Sequence, residues 1–381
     1  MGRNHNESCP RSSITWGKGE MPEPIIDLRS DTLTLPTPEM KAAMADAALG
    51  DDCYGEDPTV NRLEALAAQT MGTEAALFVA SGTMGNTCAL LAHTRLGDEI
   101  IVEEDCHVHQ WEAGAYANIA GVAVRAVEAA DGIIRPEQLE DLVRPTSDPH
   151  QPLSSLLCIE NTHNRGIGSA WTPAEVEEVA AAAHGHGLKV HMDGARVFNA
   201  AVAVGVEVKE FARHIDSVTF CLSKGLSAPV GSVLCGSEEF MYRARRARKR
   251  LGGAMRQAGV IAAAGIVAIE QCASWLPQDH ANALRLADGL SEIAGIEARM
   301  APRPTNMVFM DVSQIGWESA DLVARLKERG VLANPRPGSI VRLVTHRGIS
   351  AEDVEAVIAA ITSMVEDAST MVEGSRVRAS A

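Results

Sequence analysis

The chain has 381 residues, 46% hydrophobic and 22% charged, with 34 Lys and Arg against 50 Asp and Glu for a net charge of −16. That composition excludes a mainly disordered chain, and the acidity argues against general binding to nucleic acid or anionic membranes. At about 150 residues per domain the length suggests two or three domains, and no run reaches the roughly 18 apolar residues of a membrane span.

Residues 1–24 are polar, lack an apolar signal core and read as a flexible leader. From Ile25 the pattern becomes α/β, and a large domain is expected over residues 25–270, including an N-terminal arm. AALFVAS (75–81) reads as a strand, followed by a helical GTMGNTCALLAHTRLG. EIIVEE (99–104), VAVRAV (122–127), SSLLCIE (154–160), KVHMD (189–193), SVTFCLS (217–223) and GSVLCG (231–236) follow as further strands. Several are apolar on both parities, which suits strands covered on both faces. Before KVHMD, Thr172 reads as an N-cap, Pro173 as the first helical residue and Glu175 as the partner in a capping box. Such alternation predicts a mostly parallel seven-stranded sheet sandwiched by helices. A smaller C-terminal α/β domain is expected over 271–366: a helix at 280–296, a strand TNMVFMDV, a helix at 318–330, a strand SIVRLV and a last helix from Ser350. Residues 367–381 read as a fraying tail.

Eight cysteines are scattered, with no Cys-x-x-Cys pair, and Cys158 and Cys221 sit in apolar runs. They read as small buried hydrophobes of a reducing compartment, and hence a cytoplasmic protein. Cys106-His107-Val108-His109 lacks a second ligand pair, so no metal is expected. The basic run 243–250 reads as a solvated helix face, and His184 and His186 as surface groups at a helix end.

Three segments carry chemistry. Lys224 follows an apolar strand and is enclosed by small residues in SKGLSAPVG. A partly desolvated lysine there has a lowered pKa and can form a Schiff base, although a solvated loop lysine would look the same. Asp193 closes a strand 31 residues earlier, one βαβ crossover, which brings it to the same sheet edge. An aspartate there can keep a pyridine nitrogen protonated, or simply start the turn at Gly194. Gly82-Thr83 links a strand to a helix start, where backbone N–H groups and a hydroxyl can hold a phosphate.

In that order these elements resemble pyridoxal-phosphate enzymes of the aspartate-aminotransferase fold. Further runs bring the resemblance closer: IDLRSDT (26–32), GDDCYGEDPT (50–59), ENTHN (160–164), HMDGAR (191–196), CLSKG (221–225), MRQAG (255–259) and VRLVTH (341–346). Together they resemble the low-specificity L-threonine aldolases, over nearly the whole chain after residue 24.

The resemblance implies that Lys224 binds pyridoxal 5'-phosphate covalently, that Asp193 pairs with its ring nitrogen, that Gly82 and Thr83 hold its phosphate and that His107 stacks on its ring. Arg196 would contact the ring oxygen or the substrate carboxylate, Arg342 would clamp that carboxylate and Ser30 would add a hydroxyl contact. Arg256 and Tyr54 would reach a neighbouring subunit's site, making a homo-oligomer, at least a dimer and in the fullest form a tetramer. The implied reaction is reversible cleavage of L-threonine, L-allo-threonine and related β-hydroxy-α-amino acids to glycine and an aldehyde. His107 and His150 are the candidate bases, while His163 divides evenly between a structural and a supporting role. The competing readings on the same fold are a β-eliminating lyase, a phenylserine aldolase and an amino-acid racemase, with a non-catalytic homologue more remote. Cys53 and Cys106 depart from the family pattern and would tune the pocket or make it oxidation-sensitive.

Overall fold

The computed structural model describes residues 25–379, without the side chains of 273 and 368–379, so the leader read over residues 1–24 lies outside the described residues. The strands in chain order are β1 (Ile26–Asp27), β2 (Ala75–Val79), β3 (Glu99–Glu103), β4 (Ala123–Val127), β5 (Ser154–Glu160), β6 (Lys189–Asp193) and β7 (Ser217–Cys221). They continue with β8 (Ser232–Gly236), β9 (Glu297–Arg299), β10 (Met307–Asp311), β11 (Val331–Leu332), β12 (Asn334–Pro335) and β13 (Ile340–Val344).

The large sheet has seven strands in the order β2-β8-β7-β6-β5-β3-β4. Its strands fall where the apolar runs predict them. Five of them, β3 to β7, run parallel, whereas β8 is antiparallel to both neighbours. Consecutive residues such as Ile100, Ile101 and Val102 are all buried, as strands covered on both faces require. One cover is the helix Gly259–Gln271, GVIAAAGIVAIEQ, which is apolar nearly all round and therefore internal. At Gly265 an added Cβ would come 2.8 Å from Leu222, so that helix can lie close to the end of β7 only with glycine there. Thr172 and Glu175 form the expected reciprocal cap, Thr172 N donating to Glu175 Oε2 at 2.7 Å and Glu175 N donating to Thr172 Oγ1 at 3.2 Å.

A second core lies over a four-stranded antiparallel sheet, β12-β13-β10-β9, with the helices Leu276–Ser291 and Ala351–Ala379 supplying residues such as Leu286, Leu290, Val357 and Ile361. Three details differ from expectation. The arm, read as part of the large domain, contributes to the second core: β1 pairs with β11, and Leu28 is fully buried there. The last helix runs to Ala379 through the segment read as a fraying tail, which contains no proline and one glycine, Gly374, so each added residue can extend the hydrogen-bonded ladder. Within the basic helix Glu238–Arg250, Arg248 turns inward to pair with Asp52 at 2.9 Å and to donate to the Phe78 carbonyl at 2.8 Å, because a buried guanidinium needs both kinds of acceptor.

Candidate active site

Parallel strands bring their C-terminal ends to one edge of a sheet, where α/β proteins bind ligands. Asp193 ends β6 opposite Glu160 at the end of β5. Lys224 lies three residues beyond β7 and His107 four beyond β3. Val79 and Cys221 both pair with Ser232, which sets the Gly82 turn at that same edge.

Asp193 is buried, and its Oδ2 accepts from Asn86 Nδ2 at 2.8 Å and its Oδ1 from Ala195 N at 3.0 Å. Burial alone would raise its pKa, but the charges of His107 and Lys224 and the Asn86 hydrogen bond hold it below the ordinary carboxylate value. His107 Nδ1 meets Glu112 Oε1 at 2.9 Å, and its backbone N–H donates to Glu160 Oε2 at 2.6 Å. Burial works against a charged ring, yet the Glu112 bond and the nearby Asp193 charge raise His107 above its usual pKa. Glu112 is itself raised, by burial first and by Asp193, and its contact occupies His107 Nδ1, leaving Nε2 as the ring nitrogen not bound to it. The ligand atoms of His107, Glu112 and Asp193 lie within 4.8 Å of one another.

Lys224 is fixed through its backbone, its carbonyl accepting from Thr34 Oγ1 at 2.9 Å and from Ser227 N at 2.8 Å. Ser227 closes that turn at φ 65°, a left-handed conformation that costs a non-glycine residue free energy, and Arg347 Nε donates to its hydroxyl at 3.2 Å. Across the site, Arg342 on β13 is buried, with Nη1 donating to Asn164 Oδ1 at 2.6 Å and Nη2 to the Arg29 carbonyl at 3.0 Å. Its Nε is buried without an acceptor. Burial, followed by the charges of Arg196 and Arg336, brings its pKa down to about 9.

The beta-eliminating lyase family's profile matches residues 27–313. A low-specificity L-threonine aldolase of Arabidopsis thaliana is 43% identical over 86% of this chain and 93% of its own length. The low specificity L-threonine aldolase of Escherichia coli K12 is also 43% identical, over 88% and 98%. Among solved structures, a Leishmania major threonine aldolase superposes with a TM-score of 0.76 at 20% identity, covering 89% of this chain and 99% of that one. The chain belongs to the beta-eliminating lyase family.

Pyridoxal phosphate is the cofactor of this lyase family and fold, and the residues present fit it. The anionic Asp193 suits a protonated ring nitrogen. The helix Gly82–His93 starts at the sheet edge with Ser81 Oγ accepting from Met84 N at 3.2 Å, while among the described residues the N–H groups of Gly82 and Thr83 have no partner. A Cβ at Gly82 would come 2.9 Å from Cys221 Sγ, so only glycine lets a ligand and that thiol share the space.

Several expected residues stand elsewhere or do other work in this lyase chain. Arg196 is buried with Nε and Nη2 both bound to Asp31 at 2.7 Å, so two of its donors are already taken. Burial would raise Asp31, but the charge and hydrogen bonds of Arg196 pull it far below the usual carboxylate range. Ser30 caps the short helix Asp31–Leu33, accepting from Thr32 N at 3.2 Å. Tyr54 and Arg256 meet each other's loops, with Asp52 N donating to the Arg256 carbonyl at 3.0 Å, and both are exposed, Tyr54 at 76%. Neither touches the Lys224 cluster within one chain. His150 is the clear correction: it precedes β5, whose first residue pairs with Glu99 at the start of β3, so it sits at the opposite edge, about 20 Å away along a strand rising about 3.3 Å per residue. Its ring is exposed and held by Asp148 at 3.0 Å.

Cys106 is buried, and burial together with the Glu160 charge drives its thiol well above the ordinary value, so it is inert packing beneath His107 and not an oxidation-sensitive group. His163 is likewise structural, buried against Glu103 Oε2 at 2.7 Å. Sequence reading missed Asp31, Asn86, Glu112 and His191. Asp31 adjoins Ser30 in IDLRSDT, where the motif itself is a signal, whereas Asn86 and Glu112 sit in ordinary helix and loop contexts with no local signal.

Proposed function

We propose that this chain is a pyridoxal-phosphate-dependent aldolase that cleaves L-threonine, L-allo-threonine and related β-hydroxy-α-amino acids reversibly to glycine and an aldehyde. The observation carrying the reading is the anionic Asp193 at the same sheet edge as Lys224, with His107 beside it and the buried Arg342 facing the site with an unpaired donor.

Bound through Lys224, the cofactor supplies an electron sink for the pair released when the Cα–Cβ bond breaks. Asp193 holds a proton on the ring nitrogen, and Asn86 keeps Asp193 ionised and oriented. Arg342 fixes the substrate carboxylate by parallel N–H donors, with Ser30 nearby on the arm. His107 Nε2 holds or moves a proton at the β-hydroxyl, its Nδ1 being engaged by Glu112. Arg196 acts by gripping Asp31, which fixes the arm over the site. Gly82 and Thr83 would offer their unpartnered N–H groups to the cofactor's phosphate.

We extend the reading to the assembly. The exposed pair Tyr54 and Arg256 supports a homo-oligomer, at least a dimer and in its fullest form a tetramer, in which each subunit completes its partner's site. Buried thiols at Cys88, Cys158 and Cys235, each pushed well above the ordinary thiol value by burial, support a reducing cytoplasmic setting. Among the described residues no single helix is long and apolar enough to cross a membrane.

The test is a product assay. Purified protein should be yellow, borohydride should trap the cofactor on Lys224, and both threonine diastereomers should yield glycine and acetaldehyde. Pyruvate and ammonia without glycine would point to a β-eliminating lyase instead, and inverted amino acid alone to a racemase. A Lys224→Ala variant with full activity would end the reading.

A further inference from the structure

Three guanidinium groups gather on the substrate side of the site, and the proposed reaction needs only one of them. Arg342 lies on β13 opposite Asn334 of β12, and Arg336 N donates to the Ile340 carbonyl at 2.7 Å, which continues the same ladder. Two residues along a strand face the same way, so Arg336 shares the face of Asn334 and Arg342. Arg342 Nη1 is bound to Asn164, and the next residue, Arg165, lays its guanidinium over the Trp111 ring at 4.4 Å. Trp111 directly follows the short helix His107–Gln110, so this stack borders the His107 side of the site.

None of the three has a carboxylate within 4.0 Å among the described residues, unlike Arg196 with Asp31 or Arg248 with Asp52. Four of their donor atoms are buried and unpaired: Arg165 Nε, Arg336 Nε, Arg336 Nη2 and Arg342 Nε. The groups also feel one another. Burial first, then Arg165, brings Arg336 down to about 10, and only Asp105 opposes this from beyond ion-pair distance. Unpaired buried donors and clustered like charges both cost free energy, and an anion placed among them relieves both costs. The α-carboxylate accounts for Arg342. Nothing in threonine, whose β-substituent is a methyl group, answers Arg165 and Arg336.

We propose that Arg165 and Arg336, over the Trp111 platform, form a second anion subsite, and that the preferred substrates are β-hydroxy-α-amino acids whose side chain ends in an acidic group, so that the aldehyde released is itself an anion. The subsite rests on the aldolase reading. The bonds change as in threonine cleavage: Cα–Cβ breaks, the hydroxyl proton leaves as the C=O forms at Cβ, and Cα gains a proton to give glycine.

The experiment measures kcat/KM of the holoenzyme for 3-hydroxyaspartate, 3-hydroxyglutamate and threonine, following glycine. At least one acidic substrate should exceed threonine by tenfold or more. In Arg336→Gln and Arg165→Gln that ratio should fall at least tenfold, and Arg336→Lys should keep part of it. A binding readout accompanies the kinetics: succinate should raise the melting temperature of the wild type more than acetate does, and the Gln variants should lose that difference. Equal or better cleavage of threonine, with an acid-to-threonine ratio the variants do not move, would overturn the subsite while leaving the aldolase reading intact. Failure to release glycine from any of the three would strike the aldolase reading first. If Arg165 or Arg336 instead pairs with a partner's carboxylate, the ratio stays put and the Gln variants shift the oligomeric state in size-exclusion chromatography, which also counts against the subsite.

Discussion

The amide of Asn86 donates to Asp193 at 2.8 Å, and its second hydrogen goes to Glu112, also at 2.8 Å. Its oxygen can therefore only accept, which it does from His191 Nε2 at 3.1 Å. His191 is buried and neutral, its pKa lowered to about 4 by burial, so its Nδ1 must accept from the Ser217 hydroxyl at 2.8 Å. Ser217 in turn accepts from His93 Nε2 at 2.8 Å. Every donor in this line points toward Asp193.

Asn86→Leu should break the line at its last link. Losing a hydrogen bond to a buried charge costs about 1.5–3 kcal/mol, so kcat/KM should fall about tenfold or more. The pKa of Asp193 should rise, which would move the acid limb of the pH profile upward. Unchanged kinetics would show that Asp193 is oriented without this amide.

Glu112→Gln removes the group that raises His107. The His107 limb in the kcat/KM profile should shift to lower pH. A histidine with a raised folded pKa contributes stability that is complete below its unfolded value of about 6.5 and lost as pH climbs through the folded value. The variant should therefore show a flatter melting temperature across that window.

Asp31→Asn leaves Arg196 buried with no counter-charge. Breaking one side of such a pair costs about 3–5 kcal/mol, which a melting curve should register. In the wild type this carboxylate's contribution is present above its unfolded pKa of about 3.9 and disappears only as pH falls through its lower folded value.

Asp279 behaves in the opposite way. Burial and the Asp31 charge raise it to about 8, and its Oδ2 has no partner. The folded chain thus holds a proton that the unfolded chain releases between about pH 4 and pH 8, so stability falls with rising pH over that range. Asp279→Asn should flatten this dependence and raise the melting temperature at pH 8.

Most strands of the large sheet were legible because they are buried runs of about five residues with apolar residues on both parities, as in Glu99–Glu103, whereas the edge strand β4 is partly exposed along its length. By contrast β1, β11 and β12 have two residues each, too short to form a pattern, and they exist because distant segments pair. The reversed direction of β8 was hidden for a related reason: periodicity carries no direction. At the site, Lys224, Asp193 and Gly82 stand in local contexts that announce chemistry. Asn86 does not, because its meaning lies in partners 26 and 107 residues away.

The arm has an engineering consequence. Leu28 fills the second core from near one end of the chain, while most of that core comes from residues beyond Leu276. Expressing the C-terminal lobe by itself would leave β11 without its neighbour and a leucine-sized hole behind it. A cut made after Asp31 would also free Arg196 in the other lobe. The arm and the last helix are laced into one lobe, so trimming the arm breaches a shared core and frees no module.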